Sequence, residues 1–366
     1  MKAFGFLSFG HYSLHAQPNH AQPNHTQPNH TQPNHPHMLS ARDMLHQSIE
    51  LAVEADRLGV NGAYFRVHHF APQQAAPMPL LAAVAARTKN IEVGTGVIDM
   101  RYENPLHLAE ESAALDLIAD GRIALGVSRG APEAVERGWE AFGYTGSTDP
   151  RGADIAREHF LRYLAAIRGV GMATAASAEK QYPHMYKPGS SIPVLPHSPN
   201  LDRRVWWGAG TRETAKWAGQ VGVNLMSSTL LTKSNGDSFG DLQAEQLQVF
   251  KESFASSGHG WSPRTSVSRS IFPIVSAEDR AMVGTHGMTR DHFGVIDGYR
   301  STFGRTYIGE PDTLIEDLLN DAAVAEADTL MLTIPNQLGV EANTRLLKNF
   351  ATHVAPSLGW QPTTSN

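Results

Sequence analysis

The sequence predicts an α/β fold, a (β/α)8 TIM barrel with insertions after strand 1, before strand 5 and after strand 7. Eight strand-like apolar runs alternate with helix-like segments along most of the 366 residues. These runs are near-continuous in apolar residues, as strands of a parallel sheet covered on both faces must be. Polar and glycine residues gather where the runs end. The second ends in Phe65-Arg66-Val67-His68-His69-Phe70, the third in Gly94-Thr95-Gly96-Val97-Ile98-Asp99, the fourth in Ser128-Arg129-Gly130 and the fifth in Trp206-Trp207-Gly208-Ala209-Gly210-Thr211. Barrels of this architecture carry their chemistry at the carboxyl ends of the strands.

The elements follow in order. Strand 1 covers about 3–9, and helix 1 about 41–58, where Ser40 and Asp43 fit a capping box, Leu45, Ile49, Ala52 and Val53 form an inward stripe, and Gly59 ends the helix. Strand 2 (about 62–67) leads to a helix near 79–88 with Pro79 in its first turn, and strand 3 covers 91–98. Asn104-Pro105 opens helix 3 as cap and first helical residue, Gly121 follows its end, and strand 4 covers 122–128. Strands 5 to 8 fall at about 203–209, 223–229, 266–276 and 328–334, with helices near 152–168, 211–221, 240–257, 311–323 and 339–353.

Three segments interrupt this rhythm. Residues 16–37 hold a tandem repeat, Gln17-Pro18-Asn19-His20 and three further copies, in the loop after strand 1. Proline every fifth residue blocks regular helix. An expanded low-complexity loop is favoured over metal capture by His20, His25, His30, His35 and His37, because no carboxylates accompany these histidines. Residues 169–202 are rich in Pro, Ser and Tyr and predict an excursion over the surface. Residues 277–308, with Gly284, Gly287, Gly294 and Gly298, predict a mobile lid. The whole of 1–366 is expected to form a single domain.

Hydrophobic content of 41%, charged content of 18% and a net charge of −6 fit a globular enzyme and give no electrostatic reason to bind nucleic acid or anionic lipid. No apolar run reaches membrane-spanning length, and Met1 to Leu7 is too short a stretch for a signal peptide. The absence of cysteine excludes disulfides and thiolate chemistry and is compatible with a cytoplasmic location.

Among candidate site residues, His68 and His69 stand at a strand mouth, where imidazole is the usual proton-transfer group; neighbours on a strand end face opposite ways, so one enters the pocket. Arg129, between Ser128 and Gly130, offers a rigid cationic fork to phosphate. Gly208 to Thr211 opening a helix, with Thr214 one turn on, makes a phosphate cradle from helix amides and hydroxyls. Gly94-Thr95-Gly96 lacks the third glycine and following helix of a dinucleotide fingerprint, and its small residues admit either a flat ring or tight core packing. Trp206 and Trp207 are expected in packing. A metal hydrolase is disfavoured, because strands 5 and 6 end in Gly-Ala-Gly-Thr and Ser227-Ser228-Thr229 without a metal ligand.

These residues together bear a family resemblance. Gly62 through His69, Ile91 through Val97, Asn104-Pro105, Asp116-Leu117, Gly121-Arg122, Leu125 through Gly130 and Trp207 through Trp217 resemble the bacterial luciferase-like flavin monooxygenases. Element order agrees over nearly the whole chain, and the match is most specific between about 62 and 145. The resemblance implies a barrel that binds FMN, delivered reduced by a separate flavin reductase, on which oxygen forms a peroxide that oxidises a small organic substrate. It implies His68 as the active-site histidine, Ser128 beside the flavin ring, and Arg129, Gly210, Thr211 and Thr214 at its phosphate. It also implies a non-proline cis peptide at Gly96–Val97 under the ring, a lid at 277–308 that shields the site, and a homodimer formed through helices near strands 2 and 3. Two departures stand out: Val67 where relatives commonly have Glu, and Ser128 where many have cysteine. Hydride transfer with deazaflavin F420 on the same barrel, and a non-catalytic flavin-binding protein, are the alternatives. Phe70, Met100, Tyr102 and Met226 are expected to line an apolar pocket mouth.

Overall fold

The computed structural model describes residues 2–14, 39–130, 135–182, 184–232, 238–283, 290–296 and 299–363. The tandem repeat and Gly284, Gly287 and Gly298 lie outside them.

Eight parallel strands close into a barrel: β1 (Ala3–Ser8), β2 (Gly62–Phe65), β3 (Glu92–Asp99), β4 (Ile123–Ser128), β5 (Val205–Ala209), β6 (Asn224–Ser227), β7 (Thr265–Pro273) and β8 (Thr329–Ile334). Each pairs in parallel with the next, and β8 returns to β1 with Ala3 opposite Thr329. Among the described residues, ten α-helices accompany them: α1 (Ala41–Arg57), α2 (Pro77–Arg87), α3 (Pro105–Ile118), α4 (Ala153–Ile167), α5 (Arg212–Val221), α6 (Phe239–Ser256), α7 (Ala277–Val283), α8 (Pro311–Leu319), α9 (Ala322–Glu326) and α10 (Gly339–His353). The predicted fold class and strand order are those observed.

Local chemistry sets the helix starts. Ser40 Oγ accepts from Asp43 N at 3.1 Å while Ser40 N donates to the Asp43 carboxylate, the reciprocal box expected at α1. Asn104 Oδ1 accepts from Leu106 N and His107 N at the head of α3, and such caps contribute about 1 kcal/mol each. The buried stripe of α1 is Met44, Ser48, Leu51, Ala52 and Ala55, rotated from the predicted one; Leu45 is exposed. Ser48 can be buried because its hydroxyl donates to Met44 O at 2.8 Å.

Side chains alternate between two cores. Phe4, Phe6, Phe65 and Ile98 face the helices, whereas Leu7, Tyr64, Ala124, Trp206, Met226 and Met331 fill the barrel. Glycines make room for the large ones: a Cβ at Gly126 would lie 2.7 Å from the Met226 sulfur. The two tryptophans split as packing residues, Trp206 inside and Trp207 outside against Phe160 and Trp217. At the amino end of the barrel Glu92 accepts from Tyr64 Oη at 2.8 Å and from Arg264 at 2.6 Å. That polar plug leaves the opposite end to host a ligand.

Two expectations need correction. The run at 223–229 is shorter than expected: β6 spans Asn224–Ser227, and beyond the run Leu230–Thr232 pairs antiparallel with Tyr299–Phe303, itself paired antiparallel with His292–Ile296. The helix expected at 311–323 is α8 and α9, broken where Asp321 leaves the helix to cap Ala323 and Val324. The excursion at 169–202 carries a short pairing of Ala173–Thr174 with Ser191–Ile192. The region 277–308 contains α7 and the paired strands His292–Ile296 and Tyr299–Phe303, and Thr306–Gly309 continues the sheet beside β7.

Candidate active site

Three consecutive strands build a platform with little side-chain height at the carboxyl end of the barrel. The Gly96–Val97 peptide is cis, and the β3–β4 register shifts between Thr95 and Ile98. Next to it Ser128 is buried, its hydroxyl accepting from Gly130 N at 2.8 Å. A Cβ on Gly208 of β5 would come within 3.0 Å of Val97 Cγ1 and 3.3 Å of Ser128 Cβ. Val97, Ser128 and Gly208 therefore form one continuous surface. Gly96 lies deeper, its α-carbon directed at Leu7 inside the barrel.

The head of α5 adjoins this surface. Thr211 caps the helix: its Oγ1 accepts from Thr214 N at 3.1 Å and lies 3.0 Å from Thr214 Oγ1. A Cβ at Gly210 would have no neighbour nearer than 3.6 Å, so there is room above it. A chain of buried polar groups holds the segment from behind. Gln246 Nε2 donates to Ala209 O and Thr211 O, both at 3.1 Å, and its carbonyl accepts from Ser227 Oγ. Gln243 Nε2 donates to the same Ser227 Oγ at 2.9 Å, and Gln243 Oε1 accepts from Arg269 Nη1 at 2.6 Å. Arg269 in turn pairs with Asp321 through bonds of 2.8 and 3.0 Å.

Arg129 is half-buried after β4, and its charge reaches the Asp99 carboxylate. Asp99 is already paired with Arg101 through Nε at 2.9 Å, and both side chains are buried. The Arg101 guanidinium lies 4.6 Å from the Trp139 ring. Gly130 has φ +86°, and a Cβ there would come 1.9 Å from Asp99 Oδ2. Gly130→Ala is therefore expected to cost about 1–2 kcal/mol for the left-handed backbone alone, and more if the ion pair is displaced. Urea unfolding should show the midpoint fall at constant slope; an unchanged midpoint would show that the turn relaxes freely.

The two histidines lie beyond the end of β2 and have different surroundings. His69 stacks on Tyr102 with ring centroids 4.2 Å apart and packs edge-on to Phe142. Burial, then His68 and Arg101, bring its pKa down to about 4. His68 instead lies beside Arg66, with Arg66 Nη2 3.3 Å from His68 Nδ1. Burial lowers the His68 pKa first, and the charges of Arg66, Arg101 and His11 add to it. A neutral His68 is thus favoured at neutral pH. Because guanidinium only donates, Nδ1 is the acceptor and the ring proton sits on Nε2. Burial and Arg66 likewise lower His11, whose backbone is clamped to Asn336 by bonds of 3.1 and 2.8 Å.

Of the expected pocket residues, Phe70 is exposed, with φ +54°, and joins Tyr102 and Phe142 in an aromatic group. Met100 belongs to the outer core and Met226 to the barrel interior, so neither lines the mouth as expected: strand alternation directs one outward and the other down. Sequence reasoning missed Arg66, the Asp99–Arg101 pair and the Gln243–Gln246–Arg269–Asp321 chain. Only Asp99 and Arg101, two residues apart at a strand end, left a local signal.

A closed parallel barrel with small residues converging at its carboxyl mouth is the architecture on which barrel enzymes place their sites. Residues 16–302 match the luciferase-like monooxygenase family, and the chain belongs to it. In sequence it is 36% identical over 92 residues to the oxygenase component of flavin-dependent trigonelline monooxygenase from Acinetobacter baylyi. That match spans 25% of this chain and 26% of the relative. In structure it is similar to the oxygenating constituent of 3,6-diketocamphane monooxygenase from Pseudomonas putida in complex with FMN, with TM-score 0.65, 17% identity and 98% of each chain covered. An F420-dependent secondary alcohol dehydrogenase gives TM-score 0.53 at 15% identity, over 83% of this chain and 94% of that one. Among the described residues no helix is long and apolar enough to cross a membrane, and no group of three or more His, Cys, Asp or Glu residues is arranged to hold a metal.

Proposed function

We propose that this protein is an FMN-dependent monooxygenase, the oxygenase component of a two-component system that uses reduced FMN and molecular oxygen to oxidise a small organic substrate. The observation that carries the reading is the convergence of Val97, Ser128 and Gly208 on one low surface beside the Gly210–Thr214 helix start. The residues fit the cofactor. A Cβ on Gly208 would intrude on that surface, and the space over Gly210 is open. Ser128 and the Gly96–Val97 segment would lie against the ring, while Arg129, Gly210, Thr211 and Thr214 would hold the phosphate at the positive end of α5.

Bound there, FMN would supply the reducing equivalents with which oxygen is activated. The protein's own contributions are binding, orientation and proton handling. Neutral His68, with its proton on Nε2, can donate a hydrogen bond from that atom to an oxygen on which negative charge develops. The aromatic group of His69, Phe70, Tyr102 and Phe142 forms an apolar wall on one side of the mouth. The paired strands His292–Ile296 and Tyr299–Phe303, the latter joined to Leu230–Thr232, lie in the segment to which we assign a water-excluding lid. A separate reductase is proposed because the Acinetobacter baylyi relative is an oxygenase component.

Anaerobic titration with photoreduced FMN, oxidised FMN and F420, followed by admission of oxygen, tests this reading. Reduced FMN is expected to bind and to reoxidise at a rate different from that of free flavin. Arg129→Ala should weaken FMN by about 1.5–3 kcal/mol, or about 10–100-fold, the effect of one charge-assisted hydrogen bond. Tight F420 binding without oxygen uptake would assign hydride transfer instead, the chemistry that the F420-dependent dehydrogenase of similar fold brings into view. Tight flavin binding without turnover would leave a storage protein.

A further inference from the structure

Arg66 is a half-buried guanidinium at the barrel mouth with no ion-pair partner among the described residues. Its identified contacts are His68 Nδ1 at 3.3 Å and the face of Phe9, 5.0 Å from the ring centroid. Burial depresses its pKa, and no carboxylate among the described residues opposes that effect. The 16–37 segment that follows β1 contains no Asp or Glu, so that loop cannot neutralise it either. The other mouth arginines differ: Arg101 is neutralised by Asp99, and Arg129 acts on the same carboxylate. A cation withdrawn from water without a counter-ion is costly unless something completes it.

Its surroundings supply the rest of a recognition site. Phe9, packed against the barrel interior, fixes one face of the guanidinium plane. One N–H is directed at His68, leaving most of the five-donor fork for another acceptor. His11, held by Asn336 across from β8, and His68 are both depressed toward the neutral form, so they add N–H donors without a second charge to repel Arg66. Arg66 and His68 follow the end of β2 two residues apart, with Val67 in the outer core between them.

We propose that Arg66, flanked by His11 and His68, is a subsite for the carboxylate of an anionic organic substrate. This rests on the assignment of the mouth as the oxidation site and narrows the substrate class to carboxylic acids whose apolar body lies toward the aromatic wall. A bidentate guanidinium–carboxylate contact suits both partners, since a planar fork meets a planar anion.

Calorimetric titration of the protein with acetate, benzoate and octanoate, each beside its neutral amide, tests the subsite without turnover. At least one carboxylate is expected to bind about tenfold or more tightly than its amide, and Arg66→Gln should remove that preference. Arg66→Lys should retain part of it, and the melting temperature of each variant reports folding. FMN affinity is measured on the same proteins and should be unchanged by Arg66→Gln. Equal binding of acids and amides, or no binding of any acid, overturns the proposal. So does a loss of FMN affinity in Arg66→Gln with carboxylate preference intact, which would assign Arg66 to the cofactor. If the wild type prefers carboxylates through Arg66 yet binds no flavin, the subsite stands and the monooxygenase reading fails.

Discussion

His68→Ala is expected to lower kcat about 10²–10³-fold in the proposed FMN-dependent reaction, the usual loss when one donor to developing negative charge is removed. FMN affinity should change little, because the platform and the phosphate cradle are built from β3, β4, β5 and α5 instead. The mechanism also fixes the pH profile. His68 is held below its ordinary value of 6.5 by burial first and then by Arg66, Arg101 and His11. Protonation is disfavoured in the folded protein, so the acid limb assigned to His68 should lie below 6.5. Arg66→Gln removes one of the charges that depress it and should move that limb upward. His69→Ala is the control: its ring is stacked on Tyr102 and should affect stability more than rate. Steady-state rates of the three variants across pH check all of this, and a His68→Ala enzyme with undiminished kcat would remove His68 from the chemistry.

Much of the fold could be read from the chain because each barrel strand is a local apolar run with a turn signal after it. Ser40 and Asn104 announce helix starts within three residues, and both cap in the structure. The conformation at Gly96–Val97 was expected only through family resemblance, since neither residue demands a cis bond by its own chemistry. What escaped detection depends on tertiary neighbours. The phase of α1 was misjudged because apolar residues occupy adjacent positions and Ser48 looks polar until its bond to Met44 O is seen. The break between α8 and α9 was hidden because Asp321 reads as an ordinary helix residue until Arg269, 52 positions earlier, is placed beside it. Arg66 and His11 come from loops after different strands, so no spacing rule could join them.

Asp321→Ala is expected to destabilise the protein by about 3–5 kcal/mol, the range for breaking a buried ion pair from one side. The Asp321 carboxylate accepts from Arg269 Nε and Nη2, from Tyr307 Oη at 2.6 Å, and from the amides of Ala323 and Val324. Removing it strands a guanidinium whose side chain is 2% exposed and uncaps α9 together. Burial opposes ionisation of Asp321, but the charge and bonds of Arg269 and the hydroxyl of Tyr307 prevail and hold its pKa below the ordinary 3.8. A carboxyl depressed in the folded state stabilises fully above its unfolded pKa and loses that contribution as pH falls through the folded one. The wild-type advantage over Asp321→Ala should therefore be complete at neutral pH and shrink in acid below 3.8. Urea midpoints at several pH values check the sign. The double replacement Arg269→Met with Asp321→Leu should recover part of the loss, since no unpaired charge remains. It should not restore FMN affinity, however. Arg269 Nη1 orients Gln243, Gln243 shares Ser227 with Gln246, and Gln246 holds the Ala209 and Thr211 carbonyls from below. A variant that regains stability but still binds FMN weakly would separate two effects of this buried chain, its contribution to stability and its support of the proposed phosphate cradle.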